Sequence, residues 1–242
     1  MKRISAPGRS LLHNKWAQVC EIAAVFVGAA LIIFAGLQFV GENLFAKQLV
    51  IFVANLAMLA MVWSGPRIRK QGWDHFGLSF SFAGWRVVLF TFLKSLLVFV
   101  VAVFAFVLGA IVMANIVGIP EPADISGYNY LSGNLPLLIV SMVSIFFVSS
   151  FGEEVIYRAF LMTRISEIGN GTKWAVRLSV IISAVIFGIA HLGWGLTGIV
   201  QTTFMGLALS LMYLLFKRRL WPLVMAHAYM DALLIVPLYF AE

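Results

Sequence analysis

Seven long apolar runs, separated by short charged segments, dictate what this chain can fold into. They cover about residues 17–40, 46–63, 87–117, 137–163, 174–192, 196–216 and 221–240, and each reaches the roughly 18 residues of a transmembrane helix candidate. Lipid offers a backbone N–H or C=O no partner, so each run must close its hydrogen bonds within itself as a helix. The expected architecture is an all-α polytopic membrane protein with about seven transmembrane helices. Composition agrees, with 62% hydrophobic and 11% charged residues, where a soluble domain carries about 25% charged. No charged stretch is long enough to build a water-soluble domain. Residues 1–242 therefore read as a single transmembrane domain, with three N-terminal spans and their loops over 1–136 and a four-helix core over 137–240.

The net charge of +7 does not point to nucleic acid, because the cations fall in the short connections. Lys2, Arg3, Arg9 and Lys15 precede the first span, and Arg67, Arg69, Lys70 and Arg86 follow the second. Arg164, Lys173 and Arg177 follow the fourth, and Lys217, Arg218 and Arg219 the sixth. The alternate connections hold Lys47 as a cation, and the 118–135 loop carries Glu121 and Asp124. The positive-inside rule then places the N-terminus in the cytoplasm and the C-terminus outside it. The basic opening "MKRISAPGRSLLHNKW" resembles a signal n-region, but the run from Ala17 to Val40 exceeds the roughly 7–15 residues of a cleavable core and reads as a retained span. Six of the seven tryptophans sit near span ends, and Trp73 lies in "KQGWDHFGLSF", which reads as an interfacial segment. Cys20 reads as a packing residue.

An ionisable residue within a span costs at least about 2.5 kcal/mol, so each one asks for a reason. Glu21 and Lys94 lie close enough to a boundary to snorkel. The remaining set is Glu153, Glu154 and Arg158 in span four, His191 in span five, and His227 with Asp231 in span seven. Glu154 and Arg158 share a helix face and can pair across one turn, as do Phe187 with His191 and His227 with Asp231. Glu153 is turned about 100° from Glu154, so the two glutamates point in different directions. Each piece alone has a plain structural reading as an ion pair or a packed histidine. Together, at compatible depths on separate helices, they support one of two sites. A carboxylate beside an imidazole can deprotonate water while a second imidazole stabilises an oxyanion. Alternatively, Glu153, His191, His227 and Asp231 make a donor set for a divalent metal such as zinc, which would carry the activated water.

These residues match a known pattern. "EEVIYR" (153–158) fits an EExxxR motif, "FGIAH" (187–191) an FxxxH motif, and "HAYMD" (227–231) an HxxxN or HxxxD motif. In this order the chain resembles the CPBP or Abi family, the CAAX-protease and bacteriocin-processing group of intramembrane proteases. The resemblance implies that Glu153 activates water with help from His191, and that His227 and Asp231 stabilise the oxyanion or help bind a metal. Glu154 and Arg158 would fix the helix face, supported by Phe187. It further implies a membrane-associated protein or peptide as substrate and a bacterial inner membrane as location. Asp231 stands where relatives that process prenylated proteins usually carry Asn. An ionised Asp cannot donate to an oxyanion, so Asp231 is either protonated, orients His227 from behind, or binds metal. Two other readings are a non-catalytic membrane scaffold and a small proton-coupled transporter, although no pair of broken spans supports the latter.

Overall fold

The computed structural model describes residues 5–78, 84–119 and 126–241, leaving aside the side chains of Trp73 and Ser126. Lys2, Arg3, Glu121 and Asp124, used above in the charge map, lie outside those residues. Among the described residues every regular element is helical, and seven helices are long and apolar enough to cross a membrane. The protein is an all-α, multi-pass membrane protein.

A short helix α1 (Ala6–His13) precedes the first two spans, α2 (Lys15–Val40) and α3 (Leu44–Arg69). A 3₁₀ turn at Trp73–Phe76 precedes α4 (Trp85–Val117). The fourth span, Leu135–Ile168, is composite. It comprises α5 (Leu135–Ile145), π-helical stretches Phe146–Phe151 and Glu154–Leu161, and α6 (Met162–Ile168). The bundle closes with α7 (Lys173–Ala190), α8 (Gly195–Leu215) and α9 (Trp221–Tyr239). Several spans begin at a polar cap that satisfies a free N–H of the first turn. Asn14 accepts from the Trp16 N–H at 2.9 Å, Asn43 from Ala46 at 2.9 Å and Thr172 from Ala175 at 3.2 Å.

Packing selects one face of each helix. On α4 the buried residues are Ser95, Val98, Ala102, Gly109 and Met113, a helical spacing of small and apolar side chains. Val100, Phe104 and Ile111 lie on the exposed surface, which suits lipid. A Cβ on Gly109 would fall 2.8 Å from the Gln201 Cα, so glycine there lets α4 and α8 meet backbone to backbone. Gly206 of α8 does the same for α7, where a Cβ would meet the Phe187 ring at 3.1 Å.

The second span continues past Trp63 to Arg69, beyond the apolar run, because Arg69 is used inside the bundle. Its Nη1 lies 2.6 Å from Glu21 Oε1, and Arg164 Nε lies 2.9 Å from Glu21 Oε2. Arg164 also pairs with Glu167. Glu21 therefore does not snorkel; it is an acid clasped by two buried arginines, and it joins α2 and α3 to α6. Lys94 points its Nζ over the Phe216 ring, 5.4 Å from the centroid. At the same end, Leu220 N–H donates to the Gly77 carbonyl at 3.2 Å, fastening the connection after α3 to the start of α9.

Candidate active site

The centre of the site is built on the π-helical part of span four. A π turn pairs residues five apart and occurs often at functional sites. Here Met162 N–H donates to the Tyr157 carbonyl, and the buried Ser183 of α7 donates its hydroxyl to the same oxygen at 2.9 Å. The wide turn is thereby tied to α7.

Glu154 and Arg158 are fully buried and paired at 3.1 Å, as their spacing predicts. The guanidinium also lies over the face of Phe187, 4.4 Å from the ring centroid. A buried cation over an aromatic face gains a second stabilising partner. Phe187 is edge-on to Tyr157 at 5.1 Å and fully buried, so the aromatic residue of the FxxxH motif backs the charged pair.

His227, near the start of α9, is gripped from two sides. Its Nδ1 lies 2.8 Å from Glu154 Oε1, and its Nε2 lies 3.7 Å from Glu153 Oε2 and 3.9 Å from Asp231 Oδ1. The two glutamates do point in different directions, yet they converge on opposite nitrogens of one ring. Glu154 is bound by Arg158 and serves as acceptor, so the Nδ1–H of His227 donates to it. Asp231 Oδ2 accepts from the buried Ser150 hydroxyl at 2.7 Å.

His191 caps the C-terminal end of α7, immediately before a 3₁₀ turn at Leu192–Trp194. Its Nδ1 is 2.8 Å from the Phe187 carbonyl. A carbonyl only accepts, so Nδ1 carries the proton and Nε2 is the basic nitrogen in the neutral ring. The ring lies 4.8 Å from that of Phe187, which in turn is 6.2 Å from His227. Trp194 covers the other side of His191 at 5.0 Å. His191 thus joins the cluster through Phe187, while the imidazole within ion-pair range of Glu153 is His227.

Span four, the end of α7 and α9 therefore bring together Glu153, Glu154, Arg158, Phe187, His191, His227 and Asp231. Sequence reasoning missed Ser150, Ser183 and Trp194. Ser150 lies three residues before Glu153, but a lone serine in an apolar run gave no signal of its partner. Among the buried atoms without a protein hydrogen-bond partner are Glu153 Oε2, Glu154 Oε2, Arg158 Nε and Arg158 Nη2. Such atoms in a buried polar cluster call for water or the polar groups of a ligand. Among the described residues no group of three or more His, Cys, Asp or Glu is disposed to hold a metal ion. As they stand, these side chains offer the chemistry of carboxylates and imidazoles.

Residues 135–233 match the family model described as type II CAAX prenyl endopeptidase Rce1-like. That segment begins with α5 and contains all three motifs. No curated protein and no solved structure matches the chain.

Proposed function

We propose, from the match of residues 135–233 to the Rce1-like type II CAAX prenyl endopeptidase family model, that this protein hydrolyses a peptide bond of a membrane-associated protein or peptide. The observation that carries this reading is the convergence of Glu153 and Glu154 on the two nitrogens of His227. A purely structural ion pair needs Arg158 and one glutamate. The second glutamate, whose Oε2 lies 3.7 Å from His227 Nε2 without a hydrogen bond, is surplus to it.

Glu153 is the general base in this mechanism. Its carboxylate takes a proton from water, and His191 Nε2 accepts a hydrogen bond from the same water. The hydroxide attacks the scissile carbonyl carbon, and the carbonyl electron pair moves to oxygen. The Nε2–H of doubly protonated His227 stabilises that oxyanion, while Nδ1–H stays on Glu154. The proton held by Glu153 then passes to the amide nitrogen as the C–N bond breaks, leaving a carboxylic acid and an amine. Asp231, an acceptor from Ser150, is suited to orienting His227 rather than to donating. Arg158 and Phe187 hold Glu154 in place.

We further place the N-terminus in the cytoplasm on the distribution of cations between the connections, and the protein in a bacterial inner membrane on its compact chain and the Asp of its third motif. A cleavage assay with a membrane-tethered peptide, comparing wild type with His227→Ala at equal expression, tests the reading. Loss of cleavage is expected, and unchanged cleavage contradicts it.

A further inference from the structure

A groove separates α3 from the catalytic span. Its larger part, about 210 Å³, is lined by apolar side chains, among them Leu59, Ala60, Phe151 and Val155. A second hollow of about 100 Å³ adjoins it, since Trp63 and Phe76 line both. This smaller part has Arg67 and Gln71 among its lining residues. The guanidinium of Arg67 stacks on the Trp63 ring, 3.7 Å from the centroid, which holds an exposed cation at the rim. The groove thus changes from apolar inside the span to cationic where α3 leaves it. That order, apolar tail slot then basic mouth, is the order of groups along a membrane lipid.

We propose that this groove binds an anionic phospholipid, one acyl chain lying between α3 and the catalytic span and the phosphate resting at Arg67. Charge complementarity favours an anionic head. Arg67 is the charged residue that lines the mouth, and the exposed Asp74 stands beside it at Gly72. Lipid is also a better occupant than substrate. Phe151 and Val155 stand two residues either side of Glu153, roughly half a turn around the helix from it. The slot therefore lies on the back of the catalytic helix, away from the carboxylate. A chain in it fills the space between α3 and the π-helical stretch that aims Glu153 and Glu154.

Native mass spectrometry tests this on the full chain, delipidated in mild detergent and supplied with dioleoyl phosphatidylglycerol or dioleoyl phosphatidylcholine. Wild type is expected to hold one phosphatidylglycerol under activation that strips phosphatidylcholine. Ala60→Trp fills the slot from an exposed position and is expected to lower that occupancy about tenfold, a change near 1.4 kcal/mol. Arg67→Gln is expected to keep a bound lipid but lose the preference for the anionic head. The proposal is overturned if wild type holds both lipids equally, or if Ala60→Trp holds phosphatidylglycerol as well as wild type. Displacement of the lipid by a cleavable membrane peptide would assign the groove to substrate and also overturn it.

Discussion

Glu154 and His227 meet at 2.8 Å although 73 positions separate them in the chain. The contact joins the π-helical part of span four to α9, and it sets which nitrogen of His227 faces Glu153. Glu154 also holds Arg158, so one buried carboxylate serves two cationic or donor groups at once.

Glu154→Gln keeps the shape of the side chain but leaves Arg158 buried without its counter-charge. Breaking one partner of a buried pair costs about 3–5 kcal/mol. The variant should unfold at lower temperature than wild type and lose cleavage. Glu153→Gln should keep the thermal midpoint while losing cleavage. Thermal unfolding in detergent beside a cleavage assay separates the two glutamates, and equal midpoints for both variants would contradict the division.

Phe187→Leu removes the aromatic face beneath Arg158 without opening a large cavity. The expected loss is about 2 kcal/mol, the worth of a desolvated cation–π contact. A double-mutant cycle with Arg158→Met, read by thermal unfolding, should show coupling between the two sites. Additive losses would mean that the ring only fills space.

Ser150→Ala leaves the Asp231 carboxylate without its donor. An unmet buried acceptor costs roughly 1–3 kcal/mol. We expect kcat to fall about tenfold with KM little changed. A neutral amide needs that donor less than a carboxylate does, so Asp231→Asn in the Ser150→Ala background should recover part of the rate. Wild-type kcat in Ser150→Ala would remove Ser150 from the positioning of Asp231.

Much of this was legible in the chain, for identifiable reasons. Lipid forces each apolar run into a helix, so seven spans could be placed, although the second and fourth helices run on past their apolar runs to Arg69 and Ile168. Buried charge in lipid is expensive, so Glu153, Glu154, Arg158, His191, His227 and Asp231 stood out singly, and their spacing paired Glu154 with Arg158. The π-helical turns were not legible, because helical spacing was counted at 3.6 residues per turn and no proline or glycine pattern marked the change. Nor could spacing reveal that both glutamates aim at His227 rather than one at each histidine. That depends on how α9 packs against span four. Glu21 was read as a boundary residue because its partners, Arg69 and Arg164, lie on other helices.

Among the described residues no group of three or more His, Cys, Asp or Glu is disposed to hold a metal ion, and the proposed mechanism needs none. Purified protein should contain no stoichiometric zinc, and cleavage should survive prolonged chelation. Elemental analysis with activity before and after chelation checks this. Loss of activity restored by a divalent ion would instead assign Glu153, His191, His227 and Asp231 to a metal.

The most direct test of the account is the rate at which Glu153→Gln cleaves a membrane-tethered peptide in proteoliposomes, compared with wild type. Gln fills the same space next to His227 but cannot take a proton from water. Removing a general base slows the chemical step about 10²–10⁴-fold. The account predicts a loss of that size with normal expression and an unchanged thermal midpoint. Cleavage at the wild-type rate would contradict it.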